Sequence, residues 1–370
     1  MTKYNPSNQR IKRTYFDFLK EAQRQSEDSV DAAAKALARF EDDTRHRDFK
    51  TFHHAQAIAF KRRLANRDSV VTGERLSKAT QHATLAALKK FFQWLAQQPG
   101  YKSRLTYTDA DYFSLSDKDT RVATARRTRP VPTLAQIKHT LACMPHTTEI
   151  EQRNRALVAF ALLTGARDSA LASVKLKHVD LAAACFHQDA REVKTKFSKT
   201  FESFFFPVGD EVLQIVTDWV HHLREQKLWG HDDPMFPKTE IGIGSSQQFE
   251  PVGLLREHWS DASPIRKIFK QAFTDAGLPY FNPHSFRSTL AMAGQTMCQT
   301  PEQLKAWSQN LGHESVLTTL YSYGTVATNR QAEIIKGLAG GDSARDMREL
   351  EAAMSLIRFM RQSGQAVSQS

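Results

Sequence analysis

The 370-residue chain lacks the features of a membrane protein, a secreted protein and a disulfide scaffold. Its longest uninterrupted apolar run, residues 156–163, has eight residues, whereas a transmembrane helix needs about 20. The first ten residues, MTKYNPSNQR, are polar and contain no apolar segment, so we expect no secretory signal. The three cysteines, Cys143, Cys185 and Cys298, lie far apart in the sequence, which predicts neither disulfides nor a cysteine-rich zinc site and fits the reducing cytoplasm.

The chain has fewer acidic than basic residues, and most of the difference lies in residues 61–130. The chain has 51 lysines and arginines against 40 aspartates and glutamates, a net charge of +11. Residues 61–130 alone hold 15 basic and 6 acidic residues, and Arg121, Arg126, Arg127 and Arg129 fall within ten residues that contain no acid. A positive field of this kind suits a polyanion, most often nucleic acid, although a solvated basic surface would give the same count.

The apolar periodicity predicts a mostly α-helical protein with one small antiparallel sheet. Residues 1–110 are predicted to be helical; Leu85, Leu88, Phe92 and Leu95, for example, fall on one helix face. In contrast, residues 111–132 are polar, then basic, and contain two prolines near their end, which is typical of an exposed linker between domains.

Residues 133–340 are predicted to form a second domain that mixes helices with a strand region. Thr133 is a candidate N-cap for its first helix. Residues 184–208 alternate in polarity and contain an aromatic run, which predicts a small hairpin of strands. Residues 230–253 are rich in Gly, Ser and Pro and are predicted to be a loop.

Three short segments place basic side chains at predicted breaks between elements. In LTGARDSAL (residues 163–171), Arg167 follows a helix-ending glycine and precedes the next helix, a position suited to an anion. In NPHSFRSTLA (residues 282–291), His284 and Arg287 are three residues apart and so share a helix face. In NLGHESVLTTLYSYG (residues 310–324), His313 follows a glycine, and two tyrosines come eight and ten residues later.

These residue types belong together if the substrate is a phosphodiester. The transition state of phosphoryl transfer concentrates negative charge on the non-bridging oxygens, and arginine can donate to two of those oxygens at once. Histidines can donate hydrogen bonds or move protons, and a tyrosine hydroxyl can act as the nucleophile. Such a site needs no metal.

The sequence resembles the tyrosine recombinases of the phage-integrase type. The T-G-x-R motif of that family matches residues 164–167, its H-x-x-R motif matches residues 284–287, and its L-G-H motif matches residues 311–313. The resemblance implies a helical core-binding domain (residues 1–110), a basic linker (residues 111–132), a catalytic domain (residues 133–340) and a C-terminal helix and tail (residues 341–370).

In that family the core-binding domain and the catalytic domain, joined by the linker, form a C-shaped clamp around DNA, and the terminal helix often docks onto a neighbouring protomer. The resemblance implies attack by a tyrosine on a scissile phosphate, with a covalent 3′-phosphotyrosyl intermediate and without a cofactor or a metal. Arg167 and Arg287 would brace the phosphate, His284 would assist proton transfer, and His313 would hydrogen-bond the phosphate. The implied partners are double-stranded DNA and three further copies in a tetramer on two DNA sites, with accessory DNA-bending proteins an open question and no membrane involved.

Two of the residue roles implied by the resemblance can be assigned to more than one residue. The family's hairpin lysine, which protonates the leaving 5′-oxygen, is assigned to Lys196, with Lys194 as the runner-up and Lys199 behind it. The nucleophile is assigned to Tyr323, with Tyr321 open, because the family's usual spacing from the L-G-H histidine falls on the serine between them.

Two rival functions and one rival role also remain. A non-catalytic DNA-binding regulator and a topoisomerase-like enzyme would both use the same fold. The family commonly has an acid three residues after the first arginine, where this chain has Ala170, so the neighbouring Asp168 is a hypothetical substitute that would orient Arg167.

Overall fold

The computed structural model describes residues 4–69, 73–125, 130–195, 199–244 and 247–313. The chain divides into two compact units, residues 1–127 and 128–370. Helices make up most of the described residues, accompanied by two small antiparallel sheets. The prediction of a mostly α fold with a small antiparallel sheet is therefore confirmed. No helix among the described ranges is both long enough and apolar enough to cross a bilayer.

The first unit is a helical bundle around an aromatic core. Its helices are α1 (Pro6–Asp17), α2 (Glu27–Asp43), α3 (His54–Ala65), α4 (Lys78–Leu95) and α5 (Asp117–Thr124). Ser77 caps α4 by accepting a hydrogen bond from the backbone N–H of Thr80 at 3.2 Å. The predicted apolar face of α4 is buried, and its Phe92 ring stacks on Phe52 with the ring centres 4.0 Å apart. Burial of this face, more than helix propensity, stabilises the bundle.

The segment predicted as an exposed linker begins inside the first unit. A 3₁₀ helix, Tyr107–Phe113, places Phe113 in the aromatic core, where it is 1% exposed. The following helix α5 is joined to α4 by the ion pair of Asp119 with Lys78 at 3.1 Å. The prediction is therefore wrong for residues 111–124, because α5 buries none of its own side chains and its composition resembles that of a loop. Arg126, Arg127 and Arg129 lie outside the described residues.

The second unit surrounds a fully buried helix. Its helices are α6 (Leu134–Cys143), α7 (Glu149–Thr164), α8 (Asp168–Leu171), α9 (Asp210–His221), α10 (Ser263–Asp275), α11 (Pro283–Met297) and α12 (Pro301–Asn310). Every residue of α7 from 156 to 164 is buried, as expected for a helix that is apolar on all sides. Thr133 caps α6 as predicted, in a reciprocal pair with Gln136.

Two antiparallel sheets complete the second unit. The first has the strand order β1 (Val179–Asp180), β2 (Cys185–Gln188) and β3 (Phe201–Phe204), which confirms the predicted hairpin. The second pairs β4 (Lys238–Ile243) with β5 (Phe249–Leu255). The loop prediction is therefore wrong for residues 238–243 and 249–253, where the glycines and Pro251 obscure the alternating polarity, whereas residues 230–237 contain no helix or strand.

Candidate active site

Arg167 is positioned by the sharp end of α7. Gly165 adopts a left-handed conformation with φ of +60°, and the backbone N–H of Ala166 donates to the Thr164 hydroxyl at 3.2 Å. A side chain on Gly165 would be strained and would bring a Cβ within 2.8 Å of the Leu311 Cδ2. The glycine thus allows the first motif to pack against the third, and Arg167 follows in extended backbone immediately before α8.

Arg287 links the three motifs. Helix α11 begins with Pro283, and the Asn282 side chain caps it by accepting from the backbone N–H of Ser285 at 3.1 Å. In the first turn of α11 the His284 side chain is exposed, whereas Arg287 is only 4% exposed. The Arg287 guanidinium donates from Nη1 to the Gly165 carbonyl at 2.5 Å and from Nη2 to the Leu311 carbonyl.

His313 completes the group from the end of α12. Gly312 has φ of +67° and turns the chain, and the His313 backbone N–H donates to the Ser308 carbonyl at 3.1 Å. Burial, together with the positive charges of Arg287, Arg167 and His284, lowers the pKa of His313 to about 4. These three predicted site residues therefore lie close enough to act on His313, which is neutral near pH 7.

The two arginines of the cluster have no countercharge among the described residues. Burial lowers the pKa of the half-buried Arg167, and burial together with the positive charge of Arg167 lowers the pKa of Arg287 to about 9. Among the described residues, the Arg167 guanidinium has no hydrogen-bond or carboxylate partner, and the buried Nε of Arg287 has no hydrogen-bond partner. Buried charges are normally paired because desolvation is costly. A bound anion would relieve that cost here.

The hypothetical role of Asp168 is wrong. Its Oδ2 accepts a hydrogen bond from Nε of Arg266 on α10 at 2.9 Å, and Nη2 of the same guanidinium lies 2.7 Å from that oxygen in an ion pair. This ion pair fastens the start of α8 to α10, and the Asp168 carboxylate raises the pKa of Arg266. Asp168 therefore stabilises the backbone beside Arg167 without contacting its guanidinium.

Two of the three predicted hairpin lysines, Lys194 and Lys199, lie among the described residues. The Lys194 Nζ lies 3.5 Å from the Ser260 carbonyl, and Lys194 is not among the charges that act on the cationic cluster. Lys199 is half-buried just before β3, and Lys196 lies outside the described residues. The assignment of the general acid to Lys196 remains a prediction.

Sequence reasoning missed how the lysine-bearing segment is held. The Ser169 hydroxyl donates to the Lys194 carbonyl at 2.9 Å, and the Lys194 backbone N–H donates to the Ser173 hydroxyl at 2.9 Å. Ser169 and Ser173 lie two and six residues after Arg167, so the segment approaching Lys196 is fastened to the first motif. Because Ser173 comes after the end of α8 at Leu171, no helix periodicity in the sequence signalled this pair.

A second group of potential ligands lies apart from the cluster. One ligand atom each from Cys185, His187 and Glu202 lies within 4.8 Å of the other two. Spacing in the sequence could not reveal this group, because Glu202 comes from the opposing strand. The His187 Nδ1 is 3.0 Å from the Glu202 carboxylate, and burial raises the pKa of the Cys185 thiol. An ion pair beside a protonated thiol accounts for these contacts.

Tyr321, Tyr323 and the tail of residues 341–370 lie outside the described residues. The choice of nucleophile and the docking of the terminal helix remain predictions.

Comparisons with known proteins agree on one family. The model of the phage integrase family matches residues 133–330, which include all three motifs. Tyrosine recombinase XerC of Lactobacillus delbrueckii subsp. bulgaricus is 22% identical over 253 residues, covering 68% of this chain and 73% of the relative.

Solved structures share the fold. A lambda integrase dimer bound to a COC′ core site matches with a TM-score of 0.56 and 12% identity, covering 86% of this chain and 97% of that one. A lambda integrase tetramer bound to a Holliday junction matches with a TM-score of 0.54 and 14% identity, covering 84% and 78%.

The fold, together with a matched segment longer than half the chain, defines an enzyme of the DNA breaking and rejoining class. The chain belongs to the phage integrase family, the tyrosine recombinases.

Proposed function

We propose that this chain is a site-specific recombinase that cuts and rejoins double-stranded DNA in the cytoplasm, to integrate, excise or resolve a DNA element. The observation that carries the proposal is the proximity of two arginines, the buried Arg287 and the half-buried Arg167, whose guanidinium groups have no carboxylate partner among the described residues. A phosphodiester supplies the missing anion, and the charge that develops in its transition state increases the attraction.

Arg287 is the preorganised part of the proposed phosphate site. A guanidinium has five N–H donors, and two of those of Arg287 are used to bind backbone carbonyls. These two bonds fix the plane of the group before DNA arrives, so its orientation costs nothing during the reaction. Arg167, with no partner among the described residues, provides the second guanidinium.

The histidines have different tasks in the proposed reaction. His313 is neutral because its pKa is about 4, so it hydrogen-bonds a phosphate oxygen without adding charge. His284 lies exposed in the first turn of α11, where it is accessible to a proton donor or acceptor on the substrate.

The proposed reaction conserves phosphodiester bonds. The Tyr323 hydroxyl passes its proton to His284 as its oxygen bonds to phosphorus, and the bond from phosphorus to the 5′-oxygen breaks. Lys196 donates a proton to that leaving oxygen. A 5′-hydroxyl from a partner strand then attacks the phosphotyrosine and returns its proton to Lys196, and the tyrosine leaves and recovers its proton from His284, so no ATP is consumed.

The first unit is the proposed partner surface for the DNA backbone. Arg63, Lys78 and Lys89 are paired with acids. Other basic residues of this unit are exposed to solvent: Arg62, Lys90, Lys102, Arg104 and Arg121. Contacts of this kind with phosphates predict binding that weakens steeply with salt.

We also propose a tetramer on two duplexes as the active assembly. The support is the likeness in fold to lambda integrase in a structure of its tetramer bound to a Holliday junction.

A nicked suicide duplex tests the proposal. A DNA duplex that binds the full-length chain is first selected from a pool of random sequences. A set of duplexes is then made from it, each with a nick at one position, so that a cleaved strand cannot be rejoined. We expect a covalent protein–DNA product that disappears in Tyr323→Phe and persists in Tyr321→Phe. The reverse pattern would move the nucleophile to Tyr321, and binding without any covalent product would favour the non-catalytic regulator. Relaxation of a supercoiled plasmid that carries a single site would favour the topoisomerase-like alternative.

A further inference from the structure

The hairpin of β4 and β5, here called the arm (residues 238–244 and 247–255), exposes an apolar patch. Ile241, Ile243 and Phe249 are 57%, 70% and 80% exposed. Ile243 pairs with Phe249, and Ile241 pairs with Pro251. Directly opposed residues and residues two apart point to the same face of a hairpin, so the four side chains form one continuous patch. Isolated exposed apolar residues need no explanation, but a continuous patch marks an interaction site.

The arm is held firmly at its root. Arg153 of α7 is 2% exposed, and its guanidinium donates from Nη1 to the Pro237 carbonyl and from Nη2 to the Thr239 hydroxyl at 3.0 Å. The same guanidinium lies 4.9 Å from the centre of the Trp259 ring, and Leu254 packs on the core of the second unit. Because the arm is already ordered, a partner would lose little conformational entropy on binding it.

The charge of the arm identifies the chemistry of its partner. Residues 239–255 contain Glu240 and Glu250 and no lysine, arginine or histidine, so all 51 basic residues of the chain lie outside this segment. At its flanks, Lys238 is paired with Glu257, and Arg256 is paired with Asp233. An acidic, apolar arm is repelled by phosphates and attracted to a basic protein surface.

We infer that the arm docks onto a second copy of this chain when the protein assembles on DNA. The inference rests on the proposed multimeric function, in which a second copy with a net charge of +11 is always adjacent. Two acidic arms repel one another, so each arm contacts a different surface of its neighbour. A heterologous contact of that type closes into a ring, which suits an assembly of four.

Photo-crosslinking identifies the occupant directly. Phe249 in the full-length chain is replaced by p-benzoylphenylalanine, and the protein is irradiated on a labelled duplex that carries two copies of the selected site. We expect a product of twice the chain mass that does not form on a single-site duplex. The same replacement at Leu228, which is 77% exposed in the same unit, is the control and should give no such product. A crosslink to labelled DNA, a crosslink within one chain, or no crosslink in a complex that holds several copies would each overturn the inference.

A substitution measures the contribution of the contact. Phe249→Ser should leave binding to a single-site duplex within twofold of the unsubstituted protein and raise the concentration needed for two-site complexes at least tenfold. Leu228→Ser should change neither, and circular dichroism melting should show that both variants fold. Equal losses in single-site and two-site binding, or no change in either, would overturn the inference.

The suicide-duplex assay distinguishes failure of the proposed cleavage chemistry from failure of the inference about the arm. If no covalent product forms with any substrate, the proposed chemistry fails, but the crosslink between copies can still be scored on bound DNA. If the covalent product forms and the crosslink does not, only the inference about the arm fails.

Discussion

Two buried arginines of the second unit differ in their hydrogen-bond partners. The difference distinguishes an arginine that holds the fold together from one that is available to bind an anion. Arg153 and Arg287 are 2% and 4% exposed, and each bonds backbone carbonyl or side-chain oxygens with no carboxylate involved. All three nitrogens of Arg153 have partners, including the Asn154 side chain at 3.0 Å from Nε, and its face lies on an indole ring. The Nε of Arg287 has no partner in the described part of the chain.

The electrostatic surroundings of the two arginines also differ, as their pKa values show. Burial alone lowers the pKa of Arg153 to about 10, whereas burial and the neighbouring charge of Arg167 lower that of Arg287 to about 9. A buried arginine whose three nitrogens all have hydrogen-bond partners fastens elements together. A buried arginine with unused donors, placed beside other cations, is built to receive an anion.

The largest expected effect comes from Arg287→Lys, which keeps the charge but cannot make both carbonyl bonds and still donate to a phosphate. We expect single-turnover cleavage of the suicide duplex to fall about 10²- to 10³-fold, with duplex binding changed only a few-fold. Arg153→Lys is the matched control, and its cleavage rate per folded molecule should be unchanged. Equal losses of cleavage in the two variants would erase the distinction between the two arginines.

Arg153→Met should act on stability instead of chemistry. It leaves the Pro237 carbonyl and the Thr239 hydroxyl without their donor, so we expect the free energy of unfolding to fall by about 1–3 kcal/mol. Thermal and urea unfolding measure this loss, and cleavage at 25 °C per folded molecule is the control. A stable but inactive variant would show that Arg153 belongs to the reaction.

A smaller effect is expected from the neutral state of His313. Its pKa in the folded protein, about 4, is below the ordinary value of 6.5, so between these values the unfolded chain binds a proton that the folded chain does not. The free energy of unfolding therefore falls as the pH is lowered from 6.5 towards 4. Urea unfolding at several pH values should show a shallower slope for His313→Gln than for the exposed control His231→Gln. Identical slopes would mean that the cluster does not perturb this histidine.

The smallest effect is expected from Asp168→Asn, because the ion pair with Arg266 is partly exposed. We expect a two- to fivefold slower cleavage rate, equivalent to about 0.5–1 kcal/mol, with duplex binding unchanged. Arg266→Gln should give the same loss, and the double variant should lose no more than either single one. Complete loss of cleavage in Asp168→Asn alone would place its carboxylate in contact with Arg167 after all.

Helix ends, helix caps and apolar helix faces could be predicted, because short segments of the sequence determine them. Gly165, Pro283 and Gly312 end or begin helices where their backbone preferences require, and so each motif presents its basic residue at a helix terminus. The apolar face of α4 and the cap at Thr133 follow from the same kind of local pattern.

Features that depend on distant partners could not be predicted. Asp168 and Arg266 are 98 residues apart, and no periodicity joins them. Phe113 is buried because rings from other helices surround it, not because of its polar neighbours in sequence. The arm resembles a loop in composition, and its strands form because each supplies the hydrogen-bonding partner of the other.

The two carbonyl bonds of Arg287 join residues that are 122 and 24 positions away along the chain. Arg287 can therefore take its working orientation only after the buried helix α7 and the end of α12 have reached their final places. Under the proposed function, a nascent or partly unfolded chain carries the same side chains but cannot align them on a phosphate. We therefore expect a chain that is still being made to leave DNA uncut.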